Sequence, residues 1–227
     1  MKHEKRAGKG KGDPWAPALK PSRIEALTDG VFAIAMTILV LELSIPNFIG
    51  THTGGEEAPR SFFEMIPEFY VYALGFVVLG IYWILHRYMF HFIKRSDGVL
   101  VWLNILFLMF AAAVPFTTAV LRVNESLTPG VQAASQMPWV FNAASEIITI
   151  LILLGIWQYA TGKRRLVDQD IDERVVRVFK KIILIGMSIM LVGFALSFFL
   201  PPASILSGIS AVYMIVVTAR ARHGTLS

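Results

Sequence analysis

Apolar runs separated by polar connections divide the chain into six segments long enough to cross a membrane. A bilayer core about 30 Å thick takes about 20 mostly apolar helical residues to span. Runs of that size extend from Ile24 to Ile45, from about Ile66 to Phe90 and from Val99 to Leu121 in the first half. In the second half they extend from about Pro138 to Tyr159, from Val178 to Leu200 and, rather shorter, from Ala203 to Ala219. Pro46 stops the first, and Pro201-Pro202 turns the fifth into the sixth as a tight helical hairpin. The expected fold is an all-α polytopic membrane protein with six transmembrane helices per subunit. Its organisation is a tail over 1–22, a six-helix domain over 23–220 and a second tail over 221–227. The opening MKHEKRAGKGKGDP is charged, Gly-rich and without apolar periodicity, so it reads as a disordered basic tail. The first apolar run comes too late and runs too long for a signal peptide. The two three-span halves show no convincing internal symmetry, which weakens an inverted-repeat transporter reading.

Composition agrees with that pattern. The chain is 55% hydrophobic and 16% charged, whereas soluble domains average about 45–50% apolar and about 25% charged. A formal net charge of +5 could signal a nucleic-acid partner, so the position of the charges decides. Nineteen of the 21 Lys and Arg residues fall in the N-terminal stretch through Arg23, in the second and fourth connections with the span ends beside them, and at the C-terminal end. Only Arg60 and Arg122 fall in the other connections. By the positive-inside rule the expected orientation puts both termini in the cytoplasm of a cell with a plasma-membrane, multi-pass protein, and no nucleic acid is implied. With no cysteine, the chain has no disulfide, thiolate metal site or cysteine nucleophile.

Ionisable groups inside a span are costly and point to function or to a buried partner. The first span carries Arg23, Glu25, Thr28, Asp29, Thr37 and Glu42 around a clean apolar middle. At 100° per residue Leu27, Gly30, Ile34, Ile38, Leu41 and Ile45 share one stripe, and Asp29 and Glu25 project the other way. Asp29, a turn or so inside the membrane, is therefore expected to point into its own subunit, leaving the stripe to face lipid or a neighbouring copy. Its candidate donors are His86 and Asn104, with the indole of Trp83 or Trp102 as further possibilities. Such a buried polar clasp would fix helix packing. His86 and His91 are five apart and do not share the face that an i, i+4 metal pair would. In the fourth span Asn142 and Glu146 lie one turn apart, at a depth where a proton-coupled carrier could place a carboxylate. Asp168-Gln-Asp170-Ile-Asp172 begins like a calcium loop but has Glu173 where Gly is needed and Phe179 where Glu is needed. The stretch from Asp168 to Lys181 reads instead as a cytoplasmic amphipathic extension of the fifth helix.

Walker, Gly-x-Ser-x-Gly, His-Glu-x-x-His and Gly-x-Gly-x-x-Gly patterns do not occur, so the chain does not read as an enzyme. Thr-Val-Gly-Tyr-Gly is absent as well, so any ion selectivity would come from helix side chains.

The run Arg23-Ile-Glu-Ala-Leu27-Thr28-Asp29-Gly30, continuing to Leu41, resembles the Arg-x-x-x-Phe-Ser-Asp signature of the lysosomal potassium channel family, transmembrane protein 175, in its bacterial form. Trp83 and His86, then Arg95-Ser-Asp97 before Trp102-Leu-Asn104 and Pro115-Phe-x-Thr118, extend the likeness. The resemblance implies a homotetramer of six-helix subunits around a central potassium pathway lined by the first helix, with an apolar constriction, no cofactor, and potassium ions, membrane lipid and its own copies as partners. It implies pore positions at Ile34, Ile38 and Leu41, with Thr37 close by, and a signature at Arg23, Leu27, Thr28 and Asp29. Leu27 stands where the family has Phe, and Thr28 where it has Ser. Glu42, near the outer end, would concentrate cations at the mouth. The resulting expectation is a potassium-preferring cation channel with a hydrophobic constriction. Its competitors are a proton-coupled secondary transporter using Glu146 and Asp29, and an intramembrane enzyme acting on lipid through Asp29 and His86.

Overall fold

The structure, a computed structural model, describes residues 20–41, 43, 66–125, 137–197, 213 and 216. Six long helices account for nearly all of them: α1 (Pro21–Leu41), α2 (Ile66–Phe92), α3 (Gly98–Ala112), α4 (Val114–Glu125), α5 (Met137–Thr161) and α6 (Glu173–Ser197). Four elements among the described residues are long and apolar enough to cross a membrane, namely α1, α2, α3 with α4, and α5. The fifth expected span falls on α6, whose amphipathic extension begins at Glu173 and not at Asp168, because residues 168–172 form a non-helical turn and the Asp172 carboxylate takes the Arg174 amide where the helix starts. The sixth lies outside the described residues except for Tyr213 and Val216, as do Glu42, Ile45 and residues 1–19 of the expected tail.

Helix ends depart from the sequence expectation for local reasons. α1 begins at Pro21, two residues inside the stretch assigned to the tail, because proline suits the first helical position, where its missing N–H is not needed. It ends at Leu41, where the Leu43 amide turns to the Val40 carbonyl at 3.2 Å. The single third span is two helices broken at Ala113. Pro115 has no amide to donate and its ring crowds the carbonyl one turn back, so the ladder breaks beside it. Thr118 Oγ1 donates to the Val114 and Pro115 carbonyls at 3.0 and 2.8 Å, and Thr117 Oγ1 to Val114 at 3.0 Å, so both hydroxyls are satisfied within the first turn of α4, while the Ala113 amide turns to the Phe110 carbonyl at 3.1 Å.

α5 is the central post, packed against α3, α4 and α6, while α1 rests on α2 and α3. Leu79, Leu85 and Met89 of α2, Leu100 and Phe107 of α3, and Leu153, Ile156 and Trp157 of α5 are fully buried between them. At Gly75 of α2 a Cβ would stand 3.0 Å from Thr118 Cγ2 and 3.4 Å from Leu39 Cδ2, so the missing side chain permits the close approach of α1, α2 and α4.

At one end of the bundle the connections lock together. Leu166 accepts the amides of Lys94 and Arg95 at 2.9 and 3.1 Å, and Ile93 pairs with Val167. Asp97 caps α3 by accepting the Leu100 amide at 3.0 Å, and its other oxygen takes the Tyr159 hydroxyl at 2.6 Å and faces Arg165 Nε at 3.4 Å. One carboxylate thus ties α3 to the end of α5.

Candidate functional site

The helical phase of α1 sorts its residues into three faces. Ile24, Thr28, Phe32, Ala35 and Leu39 are buried and define the side held by the subunit. Leu27, Gly30, Ile34, Ile38 and Leu41 form the apolar stripe, and it is exposed: Ile34 is 61% and Leu41 80% accessible. At 100° per residue the stripe is centred about 120° from the buried face rather than opposite it. The third face, through Ala26, Asp29, Ala33 and Val40, is exposed too. Thr37 lies beside the stripe with its hydroxyl donated to the Ile34 carbonyl at 2.8 Å, and Arg23 is exposed at the first turn.

Beneath the buried face sits a three-residue polar cluster. His86 of α2 and Asn104 of α3 are 2.7 Å apart, Nε2 to Oδ1, so Nε2 carries the proton and the amide oxygen accepts it. The Asn104 amide then donates to Thr28 Oγ1 at 3.3 Å, while Thr28 Oγ1 and His86 Nε2 stand 3.5 Å apart. All three side chains are buried. The imidazole is stacked on Phe90 at 4.1 Å and on Phe107 at 5.5 Å, and Phe107 packs on Phe32 of α1 at 5.9 Å. Hydrogen bonds fix the direction of α1 and the stacked rings seal them from lipid. A net hydrogen bond contributes about 1 kcal/mol here, whereas a partner stranded in this environment costs about 1–3 kcal/mol.

Asp29 is not part of this cluster, which corrects the expectation that it points inward toward His86 or Asn104. It is exposed and accepts the Trp83 indole N–H at 2.7 Å. The reason is one residue of helical phase. Thr28 occupies the centre of the buried face, and the next residue is turned about 100° from it, to the edge. Trp83 in turn carries the Arg87 guanidinium over its ring at 5.6 Å, so a carboxylate, an indole and a cation run in a row along the α1–α2 seam.

Glu146 of α5 is buried at a second, separate place. Asn142 Nδ2 donates to Glu146 Oε1 at 3.0 Å, the Tyr82 hydroxyl donates to the Glu146 backbone carbonyl at 3.4 Å, and Asn142 Oδ1 has no partner. No contact joins Glu146 to Asp29 among the described residues, so the pair invoked for a carrier is not assembled within one subunit.

Pattern reading therefore found His86 and Asn104 and, among the indoles, the Trp83 donor to Asp29, but it assigned Asp29 in place of Thr28 to the buried cluster. It missed the aromatic plates Phe90 and Phe107, which no periodicity distinguishes from ordinary apolar positions. It also missed the roles of Tyr159 and Arg165, whose only signal is a tertiary approach to Asp97.

Residues 23–115, which hold α1 from Arg23 onward, the clasp and the break before α4, match a family model described as the endosomal/lysosomal potassium channel TMEM175. A potassium channel of Chamaesiphon minutus is 33% identical over 176 residues, covering 78% of this chain and 83% of that one. A potassium channel of Streptomyces collinus is 34% identical over 157 residues, covering 68% and 71%. An endosomal/lysosomal proton channel TMEM175 of Gallus gallus is 32% identical over 101 residues, 43% of this chain and 20% of that much longer one. Among solved structures, a lysosomal potassium-selective channel TMEM175 homolog from Chamaesiphon minutus superposes with a TM-score of 0.69 at 28% identity, over 88% of this chain and 97% of that one.

Proposed function

The chain belongs to the TMEM175 family of ion channels, a multi-pass membrane class that is not an enzyme class, and from that premise we propose that it is a homotetrameric, potassium-preferring cation channel. Four copies of α1 line its pathway, and an apolar ring at Ile34, Ile38 and Leu41 constricts it. It sits in the plasma membrane with both termini cytoplasmic.

The observation that carries this reading is the pair of exposed faces on α1, about a third of a turn apart. A helix that lines a ring needs a face for the axis, a face for the neighbouring copy and a face for its own subunit. In α1 these are the apolar stripe, the Asp29 edge and the clasp. The clasp holds the helix against α2 and α3 while the stripe remains open. A ring of isoleucines can dewet and block ions. Potassium sheds hydration more cheaply than sodium, so an apolar ring just wide enough for a partly stripped ion favours potassium. Thr37 spends its proton on its own helix and offers only lone pairs to a passing cation.

Reconstitution of the full chain into liposomes with a potassium gradient tests the proposal. Potassium flux without any cosubstrate, larger than sodium flux under the same gradient, is the expected result. Flux that requires a proton gradient would favour the carrier reading through Glu146. Proton current with no potassium current would match the description of the Gallus gallus relative and overturn the potassium assignment.

A further inference from the structure

The first turns of α6 carry four exposed basic residues, Arg174, Arg177, Lys180 and Lys181, that the channel mechanism does not use. Arg177, Lys180 and Lys181 form no ion pair with any described residue. Of the exposed acids just before them in the chain, Asp168, Asp170, Asp172 and Glu173, Glu173 faces Arg164 at 3.5 Å and Asp172 accepts the Arg174 backbone amide at 2.7 Å as the helix begins.

The inner side of the helix fixes where these charges point. Phe179 and Ile183 are buried, Phe179 lies 4.8 Å from the Trp157 ring of α5, and the Trp157 indole donates to the Val176 carbonyl at 3.3 Å. With that side anchored to α5, Arg174, Arg177 and Lys181 fall on one outward stripe about 60° wide. The stripe continues into Leu191 and Val192, which are exposed and apolar. Between them the Ser188 hydroxyl donates to the Leu184 carbonyl at 2.9 Å, so no unsatisfied polar side chain interrupts the change from basic to apolar. Arg174 and Lys181 are about 10 Å apart along the axis at 1.5 Å per residue. That length spans a headgroup layer and reaches the edge of the hydrocarbon core.

We propose that this stripe is a binding site for an anionic phospholipid, with the phosphate of the headgroup held by Arg174, Arg177 and Lys181 and the acyl chains laid along the Leu191 and Val192 surface. The charge complementarity requires an anion, and the apolar continuation on the same stripe requires that the anion carry a hydrocarbon tail. Each basic side chain beside an anionic headgroup contributes roughly a fivefold gain in binding. The proposal rests on the membrane-spanning reading of the chain and not on its conduction, so it is measured without flux.

Native mass spectrometry of the full chain in neutral detergent, with phosphatidylglycerol and phosphatidylcholine supplied equally, tests it. The expected result is retention of phosphatidylglycerol on the order of a hundredfold over phosphatidylcholine in the unaltered chain, from three basic side chains at roughly fivefold each. Arg174→Ala/Arg177→Ala/Lys181→Ala should bring that ratio to about twofold or less. Lys94→Ala/Arg95→Ala/Lys163→Ala, which removes as many exposed charges from the same end of the bundle, should leave it unchanged. Equal loss in both triple variants would mean a diffuse field and would overturn the site. Displacement of the lipid by excess inorganic phosphate would overturn the requirement for a tail. A change of oligomeric mass in the first variant with no change in lipid ratio would assign the stripe to a second copy of the chain instead.

Discussion

α1 and α5 are both long apolar helices, yet 28% of the α1 crossing segment is buried inside the subunit against 44% of the α5 segment. α5 is enclosed by α3, α4 and α6, and its largest fully buried residue, Trp157, lies between Phe92 and Phe179. α1 touches its subunit along one face and leaves Leu27, Ile34, Ile38 and Leu41 outside. In lipid an exposed apolar surface costs little, so exposure alone does not separate a structural helix from a working one. The polar groups separate them. α1 is held by a clasp whose donors and acceptors pair across three helices, whereas α5 keeps a carboxylate and an orphaned amide oxygen within its own turn. One arrangement positions a helix that packing leaves half open; the other belongs to a post already fixed by packing and by the Tyr159–Asp97 and Trp157–Val176 hydrogen bonds near its end.

That contrast can be broken first in the post. Trp157→Ala should cost about 3–5 kcal/mol by emptying the centre of the bundle. Thermal unfolding in detergent should show a large fall in Tm, and protein that still folds should keep its ion preference. A changed potassium preference in the folded fraction would place α5 in the pathway and erase the distinction.

The clasp comes next. Asn104→Leu strands the His86 N–H and removes the donor to Thr28, at about 1–3 kcal/mol for each group left unpaired. Asp29→Asn, at the exposed edge, keeps an acceptor for Trp83 and should cost below about 1 kcal/mol. Comparing the two Tm values checks which α1 residue anchors the helix. A larger fall for Asp29→Asn would mean that the carboxylate is buried in the assembled channel.

Smallest in stability is the change expected to matter most for flux. Ile34→Asn, on the exposed stripe, should shift stability by no more than about 0.5 kcal/mol in the subunit. In planar bilayers it should enlarge the current and reduce the potassium preference, because amides hold water in the ring and replace part of the hydration that sodium gives up. Met109→Asn, an equally exposed apolar position on α3, should leave current and preference unchanged. If Ile34→Asn behaves like Met109→Asn, the constriction lies at Ile38 or Leu41.

Hydrophobic run length was enough to locate α1, α2, α5 and the helical α6, because crossing a bilayer imposes a length that chance rarely supplies. The α3–α4 break was also present in the sequence as Pro115, but apolar continuity across it read as one span. Membership of the clasp was legible since polar groups are scarce within apolar runs, and scarcity makes each one conspicuous. Pairing was legible only as far as an indole donor for Asp29, for Thr28 and Asp29 are adjacent in sequence and a single residue of phase, about 100°, decides which of them meets His86.

The one-dimensional pattern of this chain thus determined its solvent, the helices that cross it and the few polar side chains that had to find partners there. Only the tertiary structure decided that α1 keeps two faces free, that Phe90 and Phe107 enclose the His86 ring, and that Asp97 joins Tyr159 and Arg165 at the bundle's end. Burial of apolar surface is proportional to area and leaves a periodic trace along the chain. A hydrogen bond instead depends on distance and angle between residues that, for Tyr159 and Asp97, stand 62 positions apart.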